Sequence, residues 1–114
     1  VGLEKKSNDL VSSLSHGEKR KLEICIALSM TPKIFLFDEP MAGLDGSSSK
    51  LIIELFKKIK KRAPILLIEH DMDTVFSLAD RITVLDYGRI IASGKASEIK
   101  NNKTVKEVYL GTEN

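Results

Sequence analysis

The apolar residues of the chain follow two kinds of spacing, one helical and one continuous. Residues 16–30 have the pattern of an amphipathic helix, and Pro32 then breaks it. Two short runs, "IFLF" (residues 34–37) and "ILLI" (residues 65–68), are continuously apolar, which is typical of strands buried on both faces. The pattern therefore predicts a helix followed by strands of a sheet that is covered on both sides.

Helical spacing returns after each predicted strand. Between the strands, a helix is predicted from Ser48 to about Pro64, with apolar positions Ile52, Leu55, Phe56 and Ile59. After the second strand, a short helix is predicted with apolar positions Met72, Val75, Phe76 and Ala79. The order of helix, strand, helix, strand and helix implies an α/β fold with a parallel sheet flanked by helices.

The C-terminal third has a different pattern. The segment "RITVLDYGRIIASG" (residues 81–94) predicts two strands around a turn at Tyr87 and Gly88, as an antiparallel edge. Two short helices are predicted to close the chain. The last of them is expected to begin at the T-x-x-E box of Thr104 and Glu107 and to end near Gly111.

The stretch "LSHGEKRKLEI" (residues 14–24) begins the first predicted helix. Ser15 and Glu18 have the S-x-x-E form of a capping box, in which each side chain accepts a hydrogen bond from a backbone N–H. Gly17 needs a separate reason, because glycine in a helix costs about 1 kcal/mol relative to alanine unless something approaches the backbone closely. A phosphate at the helix N-terminus is one such group. Capping and anion binding both stay open at this point.

Composition and charge narrow the class of protein. The chain has 114 residues, of which 42% are hydrophobic and 30% charged, as expected for one globular unit or part of one. A net charge of +2 gives no argument for nucleic acid, and the basic run at residues 57–62 is interpreted as a solvated helix face. No apolar run reaches the length of about 18 residues that a membrane span needs. The single cysteine, Cys25, fits a reducing compartment and is expected to be a small core residue.

Polar residues follow both predicted strands directly. Asp38 and Glu39 come after the first strand, and Glu69, His70 and Asp71 come after the second. Ligands of such sheets bind beyond the carboxyl ends of the strands, and adjacent carboxylates suit Mg²⁺–nucleotide chemistry. One carboxylate can hold the ion while its neighbour orients a water, and a histidine can stabilise charge on a phosphate. The alternative is that both strands simply end in solvent.

Four motifs in order give a resemblance to a known family. "LSHGE", "IFLFDEP", "AGLD" and "IEH" together resemble the C-terminal half of an ATP-binding-cassette (ABC) ATPase domain, over about residues 10–111. The resemblance implies the C-terminal part of a P-loop NTPase-type parallel sheet, with ATP and Mg²⁺ as cofactors. It also implies that residues 14–18 are the signature motif, residues 34–38 the Walker B strand and residues 42–45 the D-loop.

The resemblance assigns a role to individual residues. Asp38 is expected to serve Mg²⁺, Glu39 the attacking water and His70 the γ-phosphate. Ser15 and Gly17 of the signature motif are expected to clamp the γ-phosphate of ATP bound to a partner subunit. Glu18 of the same motif is expected to belong to this ATP site, and Asp45 to link the two sites. Those roles imply a head-to-tail dimer of ATPase subunits.

The tail of the chain narrows the subfamily. "LLIEHDM", "LADRITVLDYGRIIASG" and "VYLG" are similar to the ATP-binding subunits of branched-chain amino-acid importers. Such a subunit is expected to be cytoplasmic, peripheral on the inner face of the plasma membrane and docked on integral membrane permease subunits. Urea and lipopolysaccharide ABC transporters share parts of the pattern and remain alternatives. Ile26 departs from the family, which commonly has arginine there.

The phosphate loop of such domains has no match in the chain. Nothing fits G-x-x-x-x-G-K-[ST]; in the near miss, Gly88 and Gly94 are separated by five residues and Ala96 follows Lys95. Residues 1–114 are therefore expected to be a single partial domain, the C-terminal piece of a longer protein, and to hydrolyse no ATP alone. A chromosome-maintenance or DNA-repair ATPase half, or a truncated interaction module without catalysis, are the alternatives.

Overall fold

The computed structural model describes residues 2–110 of the chain. These residues form two compact units, the first ending at His70 and the second beginning at Asp71. Each unit has its own small sheet, parallel in the first and antiparallel in the second. The residues proposed from the sequence as site residues all lie in the first unit.

The first unit contains two helices and two strands. After short 3₁₀ turns at Glu4–Lys6 and Val11–Ser13, its elements are α1 (His16–Ser29), β1 (Phe35–Asp38), α2 (Gly46–Ile59) and β2 (Ile65–Ile68). β1 and β2 pair in parallel, with Phe35 opposite Ile65 and Asp38 opposite Ile68. The predicted order of helices and strands and the predicted parallel pairing are both confirmed.

Apolar side chains of α1, β1 and α2 form the core of the first unit. Ile24, Phe35, Ile52, Phe56 and Ile59 are all at most 5% exposed. The ring of Phe37 lies 4.8 Å from that of Phe56 and 5.9 Å from that of Phe35. α2 therefore covers the face of the sheet that carries Phe35 and Phe37, as its apolar spacing predicted.

The opposite face of the same sheet is exposed. Leu36 and Leu66, which lie opposite each other, are 68% and 54% exposed, and Ile68 is 53% exposed. The expectation that both strands are buried on both faces is therefore wrong for this chain. Alternate residues of a strand point to opposite faces, and among residues 2–110 no element covers the second face.

The second unit is built on a hairpin. Its elements are α3 (Met72–Leu78), β3 (Arg81–Asp86), β4 (Arg89–Lys95), α4 (Ala96–Lys100) and α5 (Lys103–Val105), followed by a π-helical turn (Lys106–Leu110). The predicted turn at Tyr87 and Gly88 is confirmed, with positive φ at both residues. The core comprises Ile82, Val84, Ile99 and Val105.

The start of the last helix and the environment of the cysteine differ from expectation. Asn102 caps α5, since its Oδ1 accepts a hydrogen bond from the N–H of Val105 at 3.1 Å. The predicted start at Thr104 with Glu107 is therefore wrong, because an asparagine just before the helix already satisfies the free amide. Gly111, the predicted end, lies outside the described residues. Cys25, expected in the core, is half-buried.

The bare sheet face predicts self-association. We expect the chain to elute from gel filtration at a volume that decreases as its concentration rises, because contiguous exposed apolar side chains favour association. Replacing both Leu36 and Leu66 with Thr keeps strand propensity and removes most of the apolar surface, so elution should become independent of concentration. Leu85→Thr, at a residue 52% exposed in the other unit, is the control. Identical profiles for all three proteins would contradict the prediction.

Candidate functional site

The carboxyl end of β1 is joined to that of β2 through the backbone of Glu39. The N–H of Glu39 donates to the carbonyl of Ile68 at 2.7 Å, continuing the pairing one residue beyond β1. Glu39 has a φ of 47°, in the left-handed region that non-glycine residues seldom adopt. The chain therefore turns sharply at Glu39, and its side chain leaves the alternation of the strand.

This turn brings together two of the predicted catalytic side chains. His70 Nε2 lies 3.7 Å from Glu39 Oε1, and the two side chains are 72% and 50% exposed. An exposed pair of this kind adds little to stability. Its arrangement, an acid and an imidazole beside one another at the strand ends, suits a role on a bound ligand. Asp38, the last residue of β1, is also exposed.

Glu69 holds this end of the sheet together, although no role was predicted for it from the sequence pattern. Its Oε2 accepts from the N–H of Met41 at 3.3 Å, and its Oε1 accepts from the N–H of His70 at 3.1 Å. One carboxylate thus ties the loop after β1 to the residue after β2. The half-buried position of Glu69, between exposed Ile68 and exposed His70, fits this role.

A second group of predicted residues lies at the start of α1. The N–H of Ser15 donates to Glu18 Oε1 at 2.9 Å, and the N–H of Glu18 donates to Ser15 Oγ at 3.1 Å. The predicted capping box is confirmed. The hydrogen bond from the Ser15 N–H is the main cause that lowers the pKa of the Glu18 carboxyl below its usual value.

Gly17 has a packing reason in the structure. A Cβ built on Gly17 would lie 2.6 Å from the Oγ of Ser48, which belongs to the first turn of α2. The close approach that a glycine permits is therefore made here by α2. Gly17 is buried, whereas Ser15 beside it is exposed. A ligand at this helix start would meet Ser15 and the first-turn backbone.

The loop between β1 and α2 ends at Asp45, which caps α2. Its Oδ1 accepts from the N–H of Ser48 at 2.7 Å and from the hydroxyl of Ser47 at 3.0 Å. The hydrogen bond from the Ser48 N–H is the first cause that lowers the pKa of Asp45. Because Ser48 also contacts Gly17, the starts of α1 and α2 lie side by side.

The carboxylates at the strand ends are candidate ligands for Mg²⁺. Among residues 2–110, no three His, Cys, Asp or Glu side chains come together as a metal cluster. Mg²⁺ does not need such a cluster, since it binds through one or two carboxylates together with water and substrate phosphates. The exposed carboxylates of Asp38 and Glu39 fit a Mg²⁺ ion that arrives with a nucleotide.

Two family models match separate parts of the chain. Residues 1–42 match a model described as ABC transporter, and residues 89–113 match one described as branched-chain amino acid ATP-binding cassette transporter. None of the described helices is long and apolar enough to cross a membrane.

Curated relatives match almost the whole chain. The high-affinity branched-chain amino acid transport ATP-binding protein LivG of Salmonella typhimurium is 40% identical over 97% of this chain and 44% of its own length. The methionine import ATP-binding protein MetN of Haemophilus ducreyi is 41% identical over 93% of this chain and 31% of its own. The chain thus spans less than half the length of these relatives.

Solved structures share the fold. The cbiO1 protein of Clostridium perfringens, part of the ABC transporter complex cbiONQ, superposes with a TM-score of 0.78 at 31% identity, covering 94% of this chain and 44% of that one. A nucleotide-free ATP-binding cassette from an ABC transporter gives a TM-score of 0.76 at 35% identity, covering 88% and 42%.

The fold and its relatives define the class. The parallel β1–α2–β2 unit, with acidic residues and a histidine at the strand ends, is part of an α/β fold of the P-loop NTPase type. Within that class the predicted family resemblance is confirmed, and the chain is a relative of the ATPase domains of ABC transporters.

The cap of α2 predicts a pH dependence of stability. The pKa of Asp45 is lowered on folding, so its ionised form stabilises the fold above the unfolded pKa of about 3.9, and this contribution is lost as pH falls through the folded pKa. Asn caps about as well as Asp without a charge. We therefore expect the free energy of unfolding of Asp45→Asn to fall less steeply than that of the wild type between about pH 5 and pH 2.

Urea denaturation at a series of pH values measures this difference. The control is Asp9→Asn, which removes an exposed carboxylate 4.0 Å from Lys6 Nζ. Equal acid dependence of the Asp45→Asn variant and the wild type would show that the Asp45 cap does not depend on charge.

Proposed function

We propose that the chain is the C-terminal half of an ABC ATPase domain, in the ATP-binding and ATP-hydrolysing subunit of a transporter. The observation that carries the proposal is the 3.7 Å approach of His70 Nε2 to Glu39 Oε1 at the ends of two parallel strands. ABC-family relatives over 97% of the chain support it. On this proposal, the two compact units belong to one partial domain.

The strand-end residues take the hydrolytic roles. Glu39 orients and deprotonates the attacking water, and the exposed imidazole of His70 contacts the γ-phosphate. Asp38 holds Mg²⁺, which would neutralise charge on the phosphates when bound. Glu69 keeps the loop and His70 in place through its two backbone contacts.

The start of α1 takes a role on a second subunit. Ser15 is exposed and lies at the N-terminus of a 14-residue helix, where backbone N–H groups and the helix dipole favour an anion. We propose that Ser15 and Gly17, supported by the Glu18 capping carboxylate, clamp the γ-phosphate bound by a partner ATPase subunit in a head-to-tail dimer. Asp45, at the adjacent start of α2, links the two sites.

The relatives support a proposal for the transported solute. The match at residues 89–113 and the LivG protein both favour a branched-chain amino-acid importer, in which this subunit lies on the cytoplasmic face and docks on membrane permease subunits. The MetN relative has similar identity, so methionine is the first alternative, followed by urea and lipopolysaccharide.

A chimaera gives the direct test. Because the chain aligns with 44% of the LivG protein of Salmonella typhimurium, it can replace that part while the remaining part of the relative is kept. In this chimaera we expect Glu39→Gln to bind ATP but to lose turnover by about 10²-fold or more, since the variant keeps shape and removes the carboxylate that orients water. The rates of phosphate release and of leucine uptake measure the effect.

The control is Glu54→Gln, an exposed carboxylate of α2 that lies 3.3 Å from Lys57 Nζ. Leucine uptake by the unmodified chimaera in cells lacking LivG supports the role of the chain in the ATPase subunit of a transporter, and a folded chimaera without leucine uptake contradicts that role. Near-normal phosphate release by Glu39→Gln would remove Glu39 from the proposed role. The 114-residue chain by itself is expected to show no hydrolysis.

The proposed contact of Ser15 with ATP on the partner subunit predicts a separate defect. Ser15→Arg places a long side chain at the proposed phosphate clamp, so ATP-dependent dimers of the chimaera should no longer form, although ATP binding to each monomer persists. Gel filtration with and without ATP measures the dimer, in the Glu39→Gln background to keep ATP intact. Ser12→Arg, at an exposed residue outside the motif, is the control. Normal dimerisation of the Ser15→Arg variant would contradict a clamp in trans.

A further inference from the structure

Arg20 connects α1 to the loop that precedes α2. It lies one turn after His16 in α1, and its side chain is 22% exposed. Its Nη2 donates a long hydrogen bond of 3.4 Å to the carbonyl of Ala42, and its Nη1 lies 3.3 Å from Glu23 Oε2. The guanidinium group thus bridges its own helix and a loop residue 22 positions further along the chain.

Apart from the contact of the Met41 N–H with Glu69, the backbone hydrogen bonds of the loop are local. Within it, Ala42 N–H donates to the Glu39 carbonyl at 3.1 Å and Leu44 N–H donates to the Met41 carbonyl at 3.2 Å, which are local turns. Gly43 has a φ of 76°, a conformation that glycine adopts without strain. Local turns shape the loop but do not fix its position against α1.

Two side chains of α1 hold the loop in its position against the helix. A Cβ built on Gly43 would lie 2.9 Å from His16 Nε2, so the imidazole packs directly on the loop backbone. His16 and Arg20 are four residues apart and therefore share one face of α1. The His16 imidazole makes a van der Waals contact with the loop, and Arg20 donates a charge-assisted hydrogen bond to it.

The guanidinium group suits this task better than another cation would. Its rigid fork can donate to two acceptors in fixed directions, whereas an ammonium group acts as a point charge. Arg20 Nε is buried and has no hydrogen-bond partner in the described part of the chain. Burying an unpaired N–H is unfavourable, so the two Nη contacts must offset that cost for the side chain to stay in place.

We propose that Arg20 is a positioning residue that holds the loop of residues 42–45 against the first turn of α1. Its consequence for catalysis rests on the proposed function, because the loop leads to Asp45 and the first turn carries Ser15 and Gly17. By fixing the loop relative to the first turn of α1, Arg20 sets the geometry of the surface that meets the partner subunit. The contact of Arg20 with the loop does not itself depend on bound nucleotide.

Hydrogen–deuterium exchange of the 114-residue chain tests the hold directly. In Arg20→Met, we expect the amides of Ala42 and Leu44 to exchange about tenfold faster than in the wild type, because a hydrogen bond from a charged group is lost. Amides of Ile52 and Phe56 in α2 should change much less. Lys19→Met removes one exposed positive charge from the same helix turn and is the matched control.

Unchanged loop exchange in Arg20→Met, relative to Lys19→Met, overturns the proposal. If Arg20→Met also speeds exchange throughout α2, the loss of the loop contact cannot be told from a general loosening of the fold. The Arg20→Lys variant then separates the two, because lysine keeps the positive charge and most of the aliphatic side chain. Loop amides that exchange faster in Arg20→Lys than in Lys19→Met, with α2 unchanged, support the proposal, and equal rates overturn it.

Turnover in the LivG chimaera tests the consequence. Arg20→Met should lower kcat severalfold while KM for ATP changes less than twofold, and Arg20→Lys should recover part of kcat. A chimaera that is inactive with native Arg20 refutes the proposed function but leaves the exchange result valid. Normal kcat in Arg20→Met, with a loosened loop, refutes the catalytic consequence.

Discussion

The parallel pairing of β1 with β2 brings the proposed catalytic side chains together. Glu39 and His70 are far apart in sequence, and they meet because each follows a strand directly and the two strands run in the same direction. The hydrogen bond from the Glu39 N–H to the Ile68 carbonyl fixes the level at which the strands end. A shift of one residue in that register would separate the carboxylate from the imidazole.

The same pairing leaves an exposed face that the sequence did not predict. Continuous apolar runs correctly predicted two strands, and for β2 the predicted bounds agree with the structure. Such runs are typical of strands covered on both sides, yet a run records which side chains prefer burial and not which element buries them. Leu36 and Leu66 are exposed because no element among residues 2–110 packs on their face of the sheet.

Features set by neighbouring residues were predicted best. The Ser15–Glu18 capping box and the Tyr87–Gly88 turn depend only on nearby residues, and both are confirmed. The contacts of Gly17 with Ser48 and of Arg20 with Ala42 join distant positions, so no local pattern could show them. The Asn102 cap could have been predicted from neighbouring residues, but the T-x-x-E pattern that begins at Thr104 indicated a different start for the helix.

Capping at the start of α1 and the proposed phosphate binding would use different backbone groups, so the two can coexist. Ser15 Oγ accepts from the N–H of Glu18, which leaves the hydroxyl hydrogen of Ser15 available to donate. The Glu18 carboxylate accepts a hydrogen bond from the Ser15 N–H, so the capping box does not use the N–H groups of His16 and Gly17. The cap therefore holds the first turn in shape while Ser15 stays exposed, which is the preorganisation that binding an anion at a helix start requires.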